Sequence, residues 1–340
     1  MEKIIRTICL FTDKISTEDL ESLDNISARL EQNDFVVQTK RICLSHYEAK
    51  INDKELADKG ILLGLGSVTI EELKNNLDDF LASSNKSINL SLTAENIGLE
   101  HVDVLFKIIK GAPANTFNFT YGFNIPASTP YFPSAKFGQK GFSIGLQPTN
   151  LSKDCGSLEE WLEKMKTVWQ EIDGLFSPIA GYLGIDSSVA PLYEKIENES
   201  SLINFVKRLG YDFNRSVTTD IYARITKFIK ENNLKPIGLC GLMLPCLEDL
   251  ELAQEYEKGN FSIERNIFLS LHSGVGIDTY PIGVDQNKEK VLEILKLIQA
   301  LSNKYNKSLS ARFVSDGRAK IGEMTDFKNQ YLKDVVVREL

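Results

Sequence analysis

Short, β-branched apolar runs alternate with amphipathic stretches of helical length along most of this chain, and few architectures accommodate that rhythm. Residues 3–11 (KIIRTICLF) and 35–44 (FVVQTKRICL) read as strands, and between them residues 17–33 carry Leu20, Leu23, Ile26 and Leu30 at helical spacing. The run 61–66 (ILLGLG) reads as another strand. Thr69 with Glu72 then forms a capping-box pattern that opens a helix with Leu73, Leu77, Phe80 and Leu81 on its inner face. A strand-like run at 88–92, a helix over about 101–110 and a strand at 117–123 follow. The clearest helix is 158–176, with Ser157 and Glu160 as its capping box and an apolar stripe that includes Trp161 and Trp169. So wide a stripe predicts that both tryptophans pack in the core. Helices near 200–208, 217–231, 263–272 and 289–304 lie among apolar segments at 182–186, 236–244, 275–278 and 308–314.

Strands alternating with helices of roughly 10–18 residues imply parallel βα units packed in layers. Several runs are apolar on both faces, as in a sheet covered on each side. The expected fold class is α/β, with residues 1–340 forming one large domain, since barrels and large α/β folds often exceed about 250 residues as a unit. Periodicity alone does not separate an α/β barrel from a doubly wound sheet.

One stretch breaks the pattern. Residues 124–140 (NIPASTPYFPSAKFGQK) hold Pro126, Pro130 and Pro133, which deny a regular element its backbone donors. A loop this long inside a compact domain suggests a lid or substrate loop, and a structured surface crossover is the plainer alternative.

Charge and cysteine usage narrow the function classes. The chain has 39 Lys and Arg against 47 Asp and Glu, a net charge of −8, which disfavours phosphate backbones as partners. The basic pairs Lys40-Arg41 and Lys207-Arg208 are expected on solvated faces. The N-terminus reads directly into a strand and no apolar run approaches the ~20 residues of a membrane span. Five scattered cysteines (Cys9, Cys43, Cys155, Cys240, Cys246) suit a reducing cytosol. The expected partner is a small molecule, without nucleic acid or membrane, and a homo-oligomer is consistent with general frequencies.

Familiar catalytic motifs are incomplete. Gly64-Leu65-Gly66-Ser67 and Gly274-Val275-Gly276 open like dinucleotide loops but lack the third glycine, Thr279 standing where the latter needs it. There is no P-loop and no Gly-x-Ser-x-Gly elbow. The three histidines, His46, His101 and His272, are far apart, which argues against a zinc site of nitrogen and sulfur ligands. His272 closes a helix just before Gly274–Asp278, so it reads either as substrate-binding or as a plain helix-end residue.

The informative pattern is positional. Tyr182–Ile185 leads into Asp186-Ser187-Ser188, Gly241–Pro245 into Glu248-Asp249, and Gly274–Ile277 into Asp278-Thr279, while the run 308–314 carries Arg312 with Asp316 just beyond. In parallel α/β folds such residues converge outside the carboxyl ends of the strands. Converging carboxylates repel unless a proton, a cation or an arginine intervenes. A divalent cation (Mg2+, Ca2+ or Mn2+) held by Glu248, Asp249 and Asp278 is one solution. A carboxylate general base with Arg312 holding an anionic substrate is another. The plainer readings are that Asp249 caps the helix beginning near 250, that Asp186, Ser187 and Ser188 form a cap or turn, and that Arg312 pairs a structural carboxylate.

GIDSSVAPL (184–192), GLMLPCLEDLELA (241–253), GVGIDTYPI (274–282), YFPSA (131–135), GFSIGLQ (141–147) and TDFKNQYL (325–332) occur in order. In them the chain resembles the family called domain of unknown function 711, or uncharacterised protein family 0210. The resemblance covers about 117–332, with RTICLFTD (6–13) also similar. It implies a fold akin to the ten-stranded α/β barrel of the pyruvate formate-lyase type of glycyl radical enzymes, and it brings no particular reaction with it. Glycyl radical chemistry itself is not implied. The nearest stretch to the radical motif, DGRAKIGEMTDF (316–327), does not match it, and neither Cys240 nor Cys246 matches a catalytic cysteine.

The expected function is therefore an enzyme acting on a small polar or anionic metabolite, by hydrolysis or lyase chemistry with or without a divalent metal. Asp186, Ser188, Glu248 and Asp278 are the catalytic candidates. Ser187, Arg312, Tyr131 and His272 are the substrate-binding candidates. The alternative is a non-catalytic small-molecule binding or sensor protein using the same pocket, and a scaffolding subunit with no converging site is a third.

Overall fold

The computed structural model describes residues 2–48, 51, 53–191 and 200–340. Leu192, the last residue of the 184–192 motif, lies outside them. The strands are β1 (Lys3–Thr12), β2 (Phe35–Val37), β3 (Lys40–Leu44), β4 (Ile61–Val68), β5 (Lys86–Ser91), β6 (Phe119–Phe123), β7 (Gly141–Leu146), β8 (Tyr182–Asp186), β9 (Gly276–Pro281) and β10 (Leu309–Val314). All ten belong to one mixed sheet in the order β8-β7-β1-β3-β4-β5-β6-β10-β9, with β2 also paired to β1.

Strand direction divides the sheet in two. β1 to β6 pair in parallel, and β7 with β8 and β9 with β10 pair in parallel as well. Where the sets meet, β1 with β7 and β6 with β10, the pairing is antiparallel. The regular ladder ends at β8 and β9. Residues 235–246 lie between those two strands and reach each through isolated parallel bridges: Ile185 with Pro236, Val189 with Leu242, Leu242 with Gly274 and Pro245 with Asp278. The expected strand at 236–244 is thus a broken one. Pro236 and Pro245 withhold donors, and Gly238 and Cys240 take positive φ (76° and 45°), which a continuous strand excludes.

Helices close to the expected lengths flank the sheet. Leu158–Phe176 starts at Ser157, whose Oγ accepts from the Glu160 amide, and buries Trp161 and Trp169. Ile263–His272 and Lys288–Tyr305 follow their predicted ranges. The helix opened by the Thr69–Glu72 capping box breaks at Asn76 into Ile70–Asn75 and Leu77–Ala82. One cluster of buried apolar side chains runs from Ile5 to Val335 and joins helices to sheet. No helix among the described residues is long and apolar enough to cross a membrane.

Segment 124–140 is not a surface crossover. Residues 128–135 are buried apart from half-buried Phe132, and Tyr131 donates its hydroxyl to the Leu146 carbonyl at 2.5 Å. A Cβ at Gly64 or Gly145 would lie 2.8 Å from the Phe132 and Tyr131 rings respectively. These two glycines let an interior segment lie directly on β4 and β7. Gly64 of the incomplete Gly64–Ser67 motif therefore serves packing.

Candidate active site

A cavity of about 540 Å3 lies inside the sheet, with Tyr131 to Ser134 in its wall. Its position follows from the two strand directions. The second set contributes Ala190 and Pro191 beyond the carboxyl end of β8, but Val275 and Ser310 at the amino ends of β9 and β10 and Asp278 and Arg312 from within them. The first set contributes Arg41 and Leu62 near the starts of β3 and β4, and Asn118 and Thr120 at the start of β6. Because the sets run in opposite directions, one end of the sheet joins carboxyl ends of one set to amino ends of the other. The arrangement expected at carboxyl ends is seen after β8 and after segment 235–246, where Glu248 lies, and not at β9 or β10.

Local irregularities aim the charged side chains inward. The register between β1 and β7 shifts between Ile5 and Thr7, which places Arg6 at a bulge. Between β9 and β10 the register shifts after Ala311, so that Asp278 and Thr279 together face Arg312. Thr279 takes φ 38°, a strained conformation for a β-branched residue, and it lies beside the carboxylate that faces the cavity.

Arg312 is the centre of a buried ion-pair network. Its Nη2 donates to Glu248 Oε1 at 2.6 Å and its Nε to Asp278 Oδ1 at 2.5 Å. Its Nη1 donates to the Phe117 carbonyl, and the guanidinium lies 4.9 Å from the Phe117 ring centre. Arg6 donates to Glu248 Oε2 and to Gln38 Oε1, each at 3.3 Å. Burial opposes the charge on Arg312, but Asp278 and Glu248 outweigh it and hold the guanidinium firmly protonated. Burial, joined by the like charge of Asp278, holds Glu248 above the ordinary glutamate range despite Arg312 and Arg6.

Arg41 is different. It is 6% exposed, contrary to the solvated face expected for Lys40-Arg41. Its Nε donates to Thr39 Oγ1 at 3.3 Å, and Thr39 Oγ1 in turn donates to the Arg6 carbonyl at 2.6 Å. The guanidinium lies 4.7 Å from the Phe132 ring centre, and its Nη1 is buried with no hydrogen-bond partner among the described residues. No carboxylate among the described residues is within ion-pair distance of it. Burial and the like charges of Arg6 and Arg312 push its pKa down to about 9. With three arginines against two carboxylates among the described residues, the polar part of the cavity wall is rich in positive charge.

The other predicted residues go elsewhere. Asp186 is wholly buried and accepts four hydrogen bonds, from the Ser188 amide and hydroxyl and from the Leu239 and Cys240 amides, at 2.6–3.1 Å. It pins the irregular segment 235–246 to β8. Burial raises its pKa, against those hydrogen bonds. Ser187 accepts from Asn233 Nδ2 at 2.8 Å and contacts the Cys240 thiol, and Ser188 donates to Asp186. These three are the turn of the plainer reading, not part of the cavity wall.

Asp249 caps the helix Leu250–Glu257 through the Glu251 and Leu252 amides, and it also accepts from the Ser201 hydroxyl and the Leu202 amide. It does not join Glu248 and Asp278, so the three-carboxylate metal set is not assembled. Glu248 is bonded to Arg312 and Arg6 while Asp249 is bonded to its helix and to Ser201, and Arg312 already takes both Glu248 and Asp278. Among the described residues no group of three His, Cys, Asp or Glu side chains is placed to hold a metal.

His272 ends its helix exposed, with its ring against Phe268 and Nδ1 2.7 Å from Ser273 Oγ, outside the cavity wall. Burial, then Lys307, lowers its pKa. Tyr131 does line the cavity, through its ring. Burial pushes the Cys240 thiol up to about 12 and the buried Cys246 thiol well above its ordinary value, so neither is a ready nucleophile.

Of the site residues singled out in the sequence, Glu248, Asp278, Arg312 and Tyr131 line one cavity, and Arg6 and Arg41, which were not singled out for it, line it with them. A signal for both was present. Each is a charged residue within an apolar strand run, KIIRTICLF and KRICL, where a covered sheet demands a buried partner or a ligand.

Fold and site together define a mixed α/β protein with an arginine-lined interior cavity. The model of the family described as uncharacterised ACR (DUF711) matches residues 69–329, and the chain belongs to that family. No curated protein matches the chain.

Proposed function

We propose that the cavity binds a small organic anion, with Arg41 as its anchor and Glu248 as the group that moves a proton on the bound molecule. The observation that carries this reading is the unmatched charge of Arg41, buried beside Arg6 and Arg312 with a guanidinium nitrogen lacking any partner. A buried cation of this kind is costly unless an anion completes it. Arg312, the anchor expected from sequence, is neutralised by Glu248 and Asp278 and instead orients Glu248. A glutamate held above its ordinary range by burial is suited to general acid–base work. Metal-assisted hydrolysis is not part of this reading, since the carboxylates are paired with arginine.

The second reading is a non-catalytic anion sensor. It is favoured by the fact that both cavity carboxylates are already bound to Arg312. Either way the reading is of a cytoplasmic protein with a small-molecule partner, supported by five free cysteines and an acidic net charge. Two parallel strand sets meeting antiparallel support kinship with the barrel of glycyl radical enzymes.

The test is incubation with a panel of small carboxylates and phosphates in 2H2O, with C–H exchange and turnover read by NMR. Wild type should bind and process at least one anion, Arg41→Met should bind none, and Glu248→Gln should bind without turnover. Equal binding by Arg41→Met overturns the anchor, and unchanged turnover by Glu248→Gln overturns the proton-transfer role. Binding without turnover in wild type selects the sensor.

A further inference from the structure

The cationic part of the cavity adjoins a wall of opposite character. Ala190, Met243 and Val275 follow directly on Val189, Leu242 and Gly274, which are bridged in register across three parallel segments. The three side chains therefore form one row across the second strand set. With Tyr131 and Leu239 they make a separate apolar cluster, outside the main core, and all five line the cavity. The row and the charge meet at one turn: Tyr131 belongs to the apolar cluster, and Phe132, the next residue, lies under the Arg41 guanidinium. A core with room to close would have absorbed five such side chains, because apolar surface left beside a cavity forgoes its packing contacts.

Resting on the anion-binding reading above, we infer that the ligand is amphipathic: a carboxylate or phosphate head held at Arg41, with a short apolar body lying against the Ala190–Met243–Val275 row. An anion that is polar throughout leaves the row facing nothing. A neutral apolar molecule leaves Arg41 unmatched.

The experiment is calorimetric titration of the full-length protein with acetate, butanoate, hexanoate and octanoate, and with alkyl phosphates of matching length. Burial of each added methylene predicts affinity rising about fourfold per methylene until the chain outgrows the wall. The head that binds more tightly at equal chain length identifies carboxylate or phosphate. Val275→Thr, nearly isosteric, and Met243→Gln should each flatten the rise of affinity with chain length, and Arg41→Met should abolish binding at every length. Anions that bind through Arg41 with no dependence on chain length overturn this inference and leave the anion site standing. Anions that fail to bind wild type at all, or bind Arg41→Met equally, overturn both.

Discussion

Replacing Arg41 by methionine should stabilise the free protein while removing its affinity for anions. The guanidinium is pushed down to about 9 by burial and by Arg6 and Arg312. That lies well below the ordinary arginine range, and at about 1.4 kcal/mol per pH unit the charged form is disfavoured by about 5 kcal/mol relative to the unfolded chain. Methionine removes that cost and keeps most of the aliphatic packing. It gives up the hydrogen bond to Thr39, about 1.5 kcal/mol, and the contact with the Phe132 ring, about 1 kcal/mol. The net expectation is a gain of about 2–3 kcal/mol, or about 3–4 °C in Tm for a chain of this length. Urea unfolding at pH 7.5 in an anion-poor buffer, beside differential scanning calorimetry, measures it. In the presence of a bound anion the ordering should narrow or reverse, because ligand stabilises only wild type. A loss of about 2 kcal/mol or more in the free protein would refute the reasoning, since it would mean that the Arg41 charge is already compensated.

Three further outcomes follow from the same geometry. Asp249 is raised to about 6 by burial, so the folded state binds more protons than the unfolded state between its ordinary value and that point. Its contribution is complete below the ordinary aspartate range and is lost as pH rises through about 6; Asp249→Asn, which keeps an acceptor for the cap, should flatten this decline in urea midpoints taken from pH 4 to 7.5. Asp186→Ala strands one buried and two half-buried backbone amides and should cost about 2–3 kcal/mol in urea unfolding, a destabilisation that a purely catalytic aspartate would not show. Mg2+, Ca2+, Mn2+ and chelator should each leave Tm within about a degree, and a rise with ion concentration that vanishes in Glu248→Gln would restore the metal reading.

Much of the architecture was legible because local chemistry governs it. The stripe over 158–176 and the cap at Ser157 define a helix whatever surrounds it, and the apolar run 182–186 coincides with β8. The break inside 236–244 was foreshadowed by its flanking prolines, but its role as the link between β8 and β9 depends on Asp186, far away in sequence. Among the site residues, Glu248, Asp278 and Arg312 were recognisable as polar groups beside apolar runs. Arg6 and Arg41 carried a weaker signal, a charge within an apolar strand run, and which of the two faces of the strand it lies on is decided by the packing around it.

What the sequence determined by itself is the α/β rhythm, the helix ends and the short menu of charged residues available for chemistry. Side-chain period and capping are encoded within a few residues of each position. Tertiary structure decided which charges meet. The antiparallel junctions of two parallel strand sets bring carboxyl ends of one against amino ends of the other, so Arg41 comes to share a cavity with Glu248 and Arg312. The neighbouring Asp249, one residue along, turns away to cap a helix. Pairing and burial are set by contacts across some two hundred residues of chain, and only there does an arginine become an unmatched charge.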